Sequence, residues 1–488
     1  MTVNTYHPQI KLMLHKAVGR KIIEGDTPVS ERFSEYETIF DLSPVLGDGV
    51  SVLTSKSVRE PAGGFTISLI DRPYMQDSSF ESLYGLIEPM DIIEIRMKHE
   101  HDGTVNIPIV MRGFVSEVRR TESMSGDGKP RRNLMIVGQD YGKIWQILQV
   151  LFLPGYVIGQ DLITNFKLFE QFGIGFATNL PTHQFVRDVF ERIINPHMDK
   201  FMPEGGQIPR QFMLDYIIDD GSVTSITGTQ NQQGTLYELM RVYGDVGIWN
   251  ELFMQDEEDG VHVVFRPSPL LKLDGKTKIQ DKAPNPEIID VPIDRVINMT
   301  VSRSDANLAN FYWVRSPRFD VNSDLYRRLF AAAGADRDTV LLSDYQNTNM
   351  TLYGVRAMYG ETQTGANSVI TGNSGQKEAE ENKRLNEMGG WVTERRKIMV
   401  EQNKDNIVLE RGSIRMFGNP KIRAGTYIRL KRGAFSALYY VVQADHSYVP
   451  FNGFVSTLTV ERGTGFVERI KMESGKQSPW IAERTRTR

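Results

Sequence analysis

The sequence predicts an α+β protein, mainly β, built as two small β-barrels with helical and α/β material inserted between or packed around them. Three observations carry that expectation. Apolar residues alternate with period two towards both ends of the chain, the period lengthens to three or four in the middle, and the two β-rich ends repeat one ordered pattern. At 488 residues there is length for about two to four units of roughly 150 residues. Hydrophobic residues at 40% and charged residues at 24% fit a folded globular chain and exclude wholesale disorder and fibrous classes.

The first β-rich stretch runs from about Val29 to Asp140. Val50 and Val52, Phe65, Ile67 and Leu69, Ile93, Ile95 and Met97, then Ile107, Ile109 and Met111 alternate as on half-buried strands. Gly47-Asp48-Gly49, His101-Asp102-Gly103 and Gly126-Asp127-Gly128 supply the turns between them, because glycine accepts positive φ at low cost. Beyond Asp140 the spacing becomes helical: Ile144, Ile147 and Leu148, then Phe185, Val186, Val189, Phe190 and Ile193. A third helical pattern, Thr235 to Tyr243, precedes a β-hairpin that runs Trp249 to Met254, turns at Asp256-Glu257-Glu258-Asp259-Gly260 and returns through Val261 to Phe265.

Between Phe330 and Asn406 the composition turns small and polar, with Ala331-Ala332-Ala333-Gly334 and the Thr362 to Gly375 stretch. A charged segment, Lys377 to Asn403, then predicts a solvated helix kinked or broken at Gly389-Gly390. Strands resume near Ile407 and continue to Glu461, and the polar end, closing Arg484-Thr485-Arg486-Thr487-Arg488, predicts a loose tail. The expected division is a first barrel over 1–140, a mainly helical insertion over 141–245, an α/β region with the hairpin over 246–330, a loop and solvated helix over 331–404, strands of the second barrel over 405–465, and the tail over 466–488.

The repeat lies at a fixed offset. Ile87, Pro89, Ile92, Ile93 and Ile95 align without a gap on Ile422, Ala424, Tyr427, Ile428 and Leu430. Downstream of each come one strand (Ile109 to Val118; Tyr439 to Tyr448) and another ending in glycine (Leu134, Ile136, Gly138; Leu458, Val460, Gly463). Alternating strands resemble one another cheaply, so two unrelated β segments stay the competing reading, but the preserved order favours duplication.

Several chemistries are excluded. The chain has no cysteine, which removes disulfides, thiolate metal sites and cysteine nucleophiles together. With 57 Lys and Arg against 61 Asp and Glu, the net charge of −4 provides no overall field for gripping nucleic acid or an anionic membrane. The N-terminus, Met1-Thr2-Val3-Asn4-Thr5-Tyr6-His7-Pro8, lacks the pattern of a signal peptide, so export by that route is not expected. The most apolar stretch, Ile147 to Ile158, is broken by Gln149 and Pro154 and falls short of the ~20 residues that span a bilayer.

Catalytic signatures are incomplete. Gly275-Lys276-Thr277 ends like a P-loop, but Leu270 stands where the first glycine belongs. Gly173-Ile174-Gly175 is followed by Thr178 rather than a third glycine, and no βαβ unit follows Gly463-Thr464-Gly465. Neither a Gly-x-Ser-x-Gly elbow nor a His-Glu-x-x-His helix occurs. His99-Glu100-His101 predicts a solvated hairpin end rather than a metal site, and Asp256 to Asp259 a hairpin tip rather than catalytic or calcium-binding carboxylates. Asp219-Asp220-Gly221 reads as a local turn. His446 stands beside Asp445 with no nucleophile tied to it by spacing, and Phe311-Tyr312-Trp313 and Tyr439-Tyr440 read as strand aromatics packed in a core. No catalytic, cofactor-binding or metal-binding residue is therefore expected.

The C-terminal block Gly412-Ser413-Ile414-Arg415-Met416-Phe417-Gly418-Asn419-Pro420-Lys421-Ile422-Arg423-Ala424-Gly425, with Tyr439-Tyr440-Val441-Val442, His446-Ser447-Tyr448 and Thr457-Leu458-Thr459-Val460-Glu461-Arg462-Gly463, resembles the end of a baseplate hub protein of contractile-tailed bacteriophages. The hairpin Trp249 to Phe265, closed by Arg266-Pro267-Ser268-Pro269, resembles that family's middle region, and Ile136-Val137-Gly138-Gln139-Asp140 the exit from its first barrel. The resemblance implies a homotrimer whose chains each contribute two tail-tube-like barrels, a pseudo-sixfold ring that joins the sixfold tail tube to a threefold central spike and lines the DNA channel. The N-terminal part of type VI secretion spike proteins is related. No long C-terminal β-helix is present, so a separate spike is expected, together with other baseplate partners. The resemblance further implies DNA only as passing cargo, no stable membrane insertion, and a place in the virion tail after assembly in the host bacterial cytoplasm. The competing functions are a tail-associated peptidoglycan-degrading enzyme, motivated by the acidic pairs Asp219-Asp220 and Asp256-Glu257, and a carbohydrate- or receptor-binding β protein, motivated by the aromatic-rich strands.

Overall fold

The computed structural model describes residues 8–474 apart from 18–19, 25–26, 33–36, 48–49, 75–81, 100–105, 125, 127, 129, 151–178, 203–204, 226–233, 316–345, 366–377 and 451–452. Gly173-Ile174-Gly175, Ala331 to Gly334, the turn at His101 to Gly103 and most of the Ile147 to Ile158 stretch lie outside the described residues.

Alternation builds the N-terminal part as expected. Strands β1 (Pro8–Lys16), β2 (Thr38–Asp41), β3 (Ser51–Ser57), β4 (Gly64–Ile70), β5 (Ile92–His99), β6 (Ile109–Met124) and β7 (Pro130–Asp140) follow in order. The period-two residues from Val50 to Met111 are buried, save Ile107, which is half-buried. Helix α1 (Thr182–Val189) runs on through a π-helical turn at Phe190–Ile194, and its apolar face packs with Trp145 and with α2 (Leu236–Tyr243). A capping box starts α2: the Thr235 hydroxyl accepts from the Glu238 N–H while the Glu238 carboxylate accepts from the Thr235 N–H. The hairpin β8 (Asn250–Asp256) and β9 (Val261–Pro267) stands where the sequence places it.

Strands β10 (Ile288–Pro292) and β11 (Val296–Ser302) come next, then the long helix α3 (Glu378–Asn403). The chain continues through β12 (Glu410–Phe417), β13 (Tyr427–Arg432), β14 (Phe435–Val449) and β15 (Gly453–Gly463) to α4 (Gly465–Ser474).

Thirteen of these strands share one sheet. Its first half runs β3-β4-β7-β6-β5-β1, with β2 beyond β1, and its second half runs β11-β12-β15-β14-β13-β10. The two halves have the same spatial order and the same order along the chain. Each half also encloses its own core. Leu12 and Leu14 of β1 share one cluster with Val52 of β3, and Val291 of β10 shares another with Ile414 and Met416 of β12, while Met299 and Val301 of β11 pack against it. Flat strands about 4.8 Å apart would hold the first and sixth roughly 24 Å apart, so each half must roll around its core. Hydrogen bonding nevertheless follows an open path, with no ladder closing either half among the described residues.

The correspondence reaches single residues. Ile92 pairs with Phe114 as Tyr427 pairs with Tyr440. The ladder of β6 with β7 skips between Val115 and Glu117, and that of β14 with β15 skips between Val441 and Gln443, so a bulge sits at one equivalent place in each half. Just before β5, Met90 takes φ 70°, and just before β13, Gly425 takes φ 85°. Both N–H groups donate at 2.8 Å to the carbonyl preceding the bulge, that of Val115 or Val441. One difference stands out: β1 lies antiparallel to β5, whereas β10 lies parallel to β13.

Three expectations need correction. Helix α3 is not broken at Gly389-Gly390 and is solvated on one face only: Glu394 and Lys397 are exposed, while Met388, Val392, Arg395, Arg396, Met399 and Val400 are buried, and this packing outweighs a glycine cost of about 1 kcal/mol each. The polar tail begins as α4, whose Phe466 ring lies 3.3 Å beneath the Arg303 guanidinium. His99 is buried beside Phe454 and Phe417, with its Nε2 3.1 Å from the Phe454 carbonyl, so it belongs to the packing between the halves rather than to a solvated hairpin end. No helix among the described residues is long and apolar enough to cross a membrane.

A Cβ at position 425 would meet Arg266 Nη2 at 2.5 Å and Phe253 Cζ at 3.1 Å in a backbone conformation that disfavours side chains. Gly425→Ala should cost about 1–3 kcal/mol, read as a lower urea midpoint at unchanged slope.

Candidate functional site

The two halves meet along β14, whose backbone is shared. Residues Phe435–Tyr440 pair with β13 of its own half, and beyond the bulge Gln443 to Tyr448 pair antiparallel with Ser57 to Val52 of β3 in the other half. The bulged residue joins in, since the Val442 carbonyl accepts from the Val58 N–H at 3.0 Å.

The β8–β9 hairpin props this seam from both sides. Towards the second half, Phe253 packs with Tyr427, Tyr440 and Ala424, Arg266 Nε donates to Glu251 at 3.0 Å, Arg266 Nη2 donates to the Gly425 carbonyl at 2.8 Å, and the Tyr440 hydroxyl donates to Glu251. Burial and the Glu251 carboxylate hold the Tyr440 phenol well above its ordinary range, so it stays a donor. Towards the first half, Lys56 Nζ lies 2.5 Å from Asp256 and 3.1 Å from Asp140. Burial alone would lower the Lys56 pKa, but the two carboxylates outweigh it and hold the ammonium charged.

The acidic hairpin tip is glue. Arg112 Nη1 donates to the carbonyls of Glu257 at 2.6 Å and Gly260 at 3.2 Å, the Glu258 carboxylate accepts from Arg96 at 2.9 Å and from the Ile109 N–H at 3.1 Å, and Arg423 reaches Glu257 at 3.1 Å. The tip therefore bridges both halves, with Asp256, Glu257 and Glu258 facing Lys56, Arg423 and Arg96, while Asp259 stays exposed beside His262. Glu257 and Asp259 come together with His262, their nearest ligand atoms within 4.8 Å of one another, a grouping whose third member sequence spacing did not single out. Arg423 already neutralises Glu257, and His262 lies 3.0 Å from Asp259.

The remaining candidates are also engaged in structure. Asp219 forms a turn by accepting from the Gly221 N–H at 2.7 Å, and Gly221 takes φ 73°. Asp220 is 3.6 Å and Asp245 3.5 Å from Arg395, a guanidinium that also lies 4.5 Å over the Trp391 ring and ties α3 to the hairpin region. Asp274 caps the Gly275-Lys276-Thr277 turn by accepting from the Thr277 hydroxyl and the Lys276 and Thr277 N–H groups, which hold its pKa down to about 2. Tyr312, Tyr439 and Tyr440 are buried. A cavity of about 650 Å³ opens between the hairpin region and the second half, lined by Arg59, Arg241, Arg411, Arg462, Glu251 and Glu461 among others; Arg59 and Glu461 form a 2.6 Å ion pair at its rim.

No protein-family model matches the sequence, and no curated protein does. The solved structures to which the chain is similar include phage tail and baseplate proteins. The tail protein from Neisseria meningitidis MC58 is 10% identical with a TM-score of 0.44, covering 93% of this chain and 96% of that one. The 43 kDa tail protein of prophage MuSo2 from Shewanella oneidensis is 9% identical with a TM-score of 0.41, over 92% and 96%. A component of the E. coli type VI secretion system, described as similar to T4 tail proteins, is 8% identical with a TM-score of 0.34, over 85% and 73%.

Two measurements check the seam. Replacing Lys56 with Met leaves Asp140 and Asp256 without their shared counter-ion and should cost about 3–5 kcal/mol in a urea titration. His446, buried in β14 with Nδ1 2.8 Å from the Ser456 hydroxyl, has its pKa lowered by burial to about 4. The unfolded chain then binds more protons below its histidine pKa of about 6.5, so this contribution is full above that pH and is lost as pH falls through about 4, a change of roughly 3 kcal/mol. His446→Gln should flatten the stability profile across that window.

Proposed function

We propose that this chain is a structural baseplate hub of a contractile phage tail. It acts as a homotrimer that adapts the sixfold tail tube to a threefold central spike and lines the DNA channel. The observation that carries the reading is the repeated half: one chain holds two rolled sheets of identical strand order, matched in bulge and in positive-φ entry residue, and joined side by side in one ladder. Three such chains present six similar units to a sixfold partner while keeping three copies of every unrepeated element for a threefold one.

In this reading the first tube-like unit takes 1–140, and the second combines 405–465 with β10 and β11. The intervening helices and hairpin hold the two at a fixed angle. A structural role is supported by the candidate acids: Asp220, Asp256 and Glu257 are spent on arginine and lysine partners, and Asp219 holds the turn at Gly221. A net charge of −4 suits a channel that lets DNA pass without gripping its phosphates. The partners are the tail tube protein, the central spike and other baseplate proteins, and the location is the virion tail, assembled in the host cytoplasm.

Mass measurement of the purified chain should give three times the monomer mass. Negative-stain images should show rings that stack on tube protein of the same particle. A chain that stays monomeric and binds neither tube nor spike protein would overturn the reading, and so would clearing of peptidoglycan in a zymogram.

A further inference from the structure

The internal seam specifies a second seam that one chain cannot make. β14 uses its residues beyond the bulge to pair with β3, the first strand of the other half. The equivalent residues of β6, Glu117 to Met124, pair with β7 on one side only, and no ladder among the described residues uses their other side. The equivalent of β3 is β11, which pairs with β12 and likewise has an unused edge. One chain thus carries one half-seam of each kind, at opposite ends of its repeat.

We propose that residues 119–124 of β6 pair antiparallel with β11 of a second copy of this chain, in the register of the internal seam. Carrying that register across gives a definite result. Glu117 and Gln443 follow equivalent bulges, and β11 maps on β3 through their partners β12 and β4. The internal pair Ser447 with Leu53 becomes Thr121 with Thr300, and its neighbours become Arg119 with Ser302 and Glu122 with Met299.

Independent features fit this pairing. The half-buried Val118 and Arg120 come onto one face with the half-buried Met299 and Val301, as His446 and Thr54 share a buried face in the internal seam. At the end of the run Met124, 74% exposed, comes alongside Ile297, 48% exposed, so two apolar side chains left in water by the single chain cover each other. Open strand edges of this length invite strand addition, and an edge that meets a different edge of the next copy closes head-to-tail into a ring. Ring size three rests on the hub reading; the strand pairing does not.

The absence of cysteine makes the test clean. Thr121 and Thr300 are both exposed, and directly opposed residues in an antiparallel pair lie within disulfide reach. The chain carrying Ser447→Cys with Leu53→Cys should cross-link internally and serves as the folding control. Under mild oxidation a mixture of T121C chains and T300C chains should give covalent dimers that neither variant gives alone, and the double variant T121C/T300C should give a covalent trimer. Self-linking of T121C alone, or a native trimer in which the mixture fails to cross-link, would overturn the edge pairing, and the second result would leave the hub reading standing. Cross-linked chains growing past three would support the pairing and overturn the ring size. A monomer that cross-links only at the internal control would overturn both.

Discussion

Strand β14 hydrogen-bonds to β13 through Phe435–Tyr440 and to β3 through Gln443 to Tyr448, so one stretch of backbone belongs to both halves, and the other contacts between them depend on its course. The device that permits this is a single extra residue. The bulge at Val442 bends the strand and raises its twist, which lets the second half of β14 leave its own rolled sheet and enter another. β6 carries the equivalent bulge, but among the described residues its continuation, Glu117 to Met124, finds no second strand to enter.

Beside the apolar contacts of Phe253, charged groups brace the seam in pairs. Lys56, Arg112, Arg266 and Arg423 each reach the hairpin or are held by it, and the Tyr440 phenol completes the set. Buried ion pairs of this kind add little net stability over well-packed apolar residues, while removing one partner is costly. Their contribution is to relative placement: an apolar contact tolerates sliding, whereas a lysine between two carboxylates does not. Such pairs fix the angle between the two halves more than they deepen the energy well.

Much of the fold was legible because period-two burial is a direct physical signature. Ile93 and Ile428, aligned by offset alone, occupy equivalent buried places in equivalent strands, and the hairpin from Trp249 to Phe265 formed as its alternation and acidic turn indicated. What misled was charge. Arg395 in α3 is of a type that usually stays in water and His99 in β5 reads as part of a polar turn, and their burial rests on Asp220, Asp245 and Phe454, which are remote in sequence. Lys56 carried no signal either, since a lysine on a strand reads as a solvated edge until Asp256, 200 residues later, is brought beside it. The contribution of β10 and β11 to the second half was hidden by the long insertion that separates them from β12.

The seam also joins positions that leave the ribosome far apart in time. Gln443 and Ser55, which bond across it, are separated by 388 residues. At about 5–20 residues per second the edge of β3 waits roughly 20–80 s for its partner. During that interval a neighbouring polysome offers the same missing strand from another nascent chain, and exchange between chains would yield a swapped but otherwise correctly bonded product. Slow emergence of β14 therefore makes translation spacing and chaperone cover of β3 determinants of how much usable protein a cell obtains.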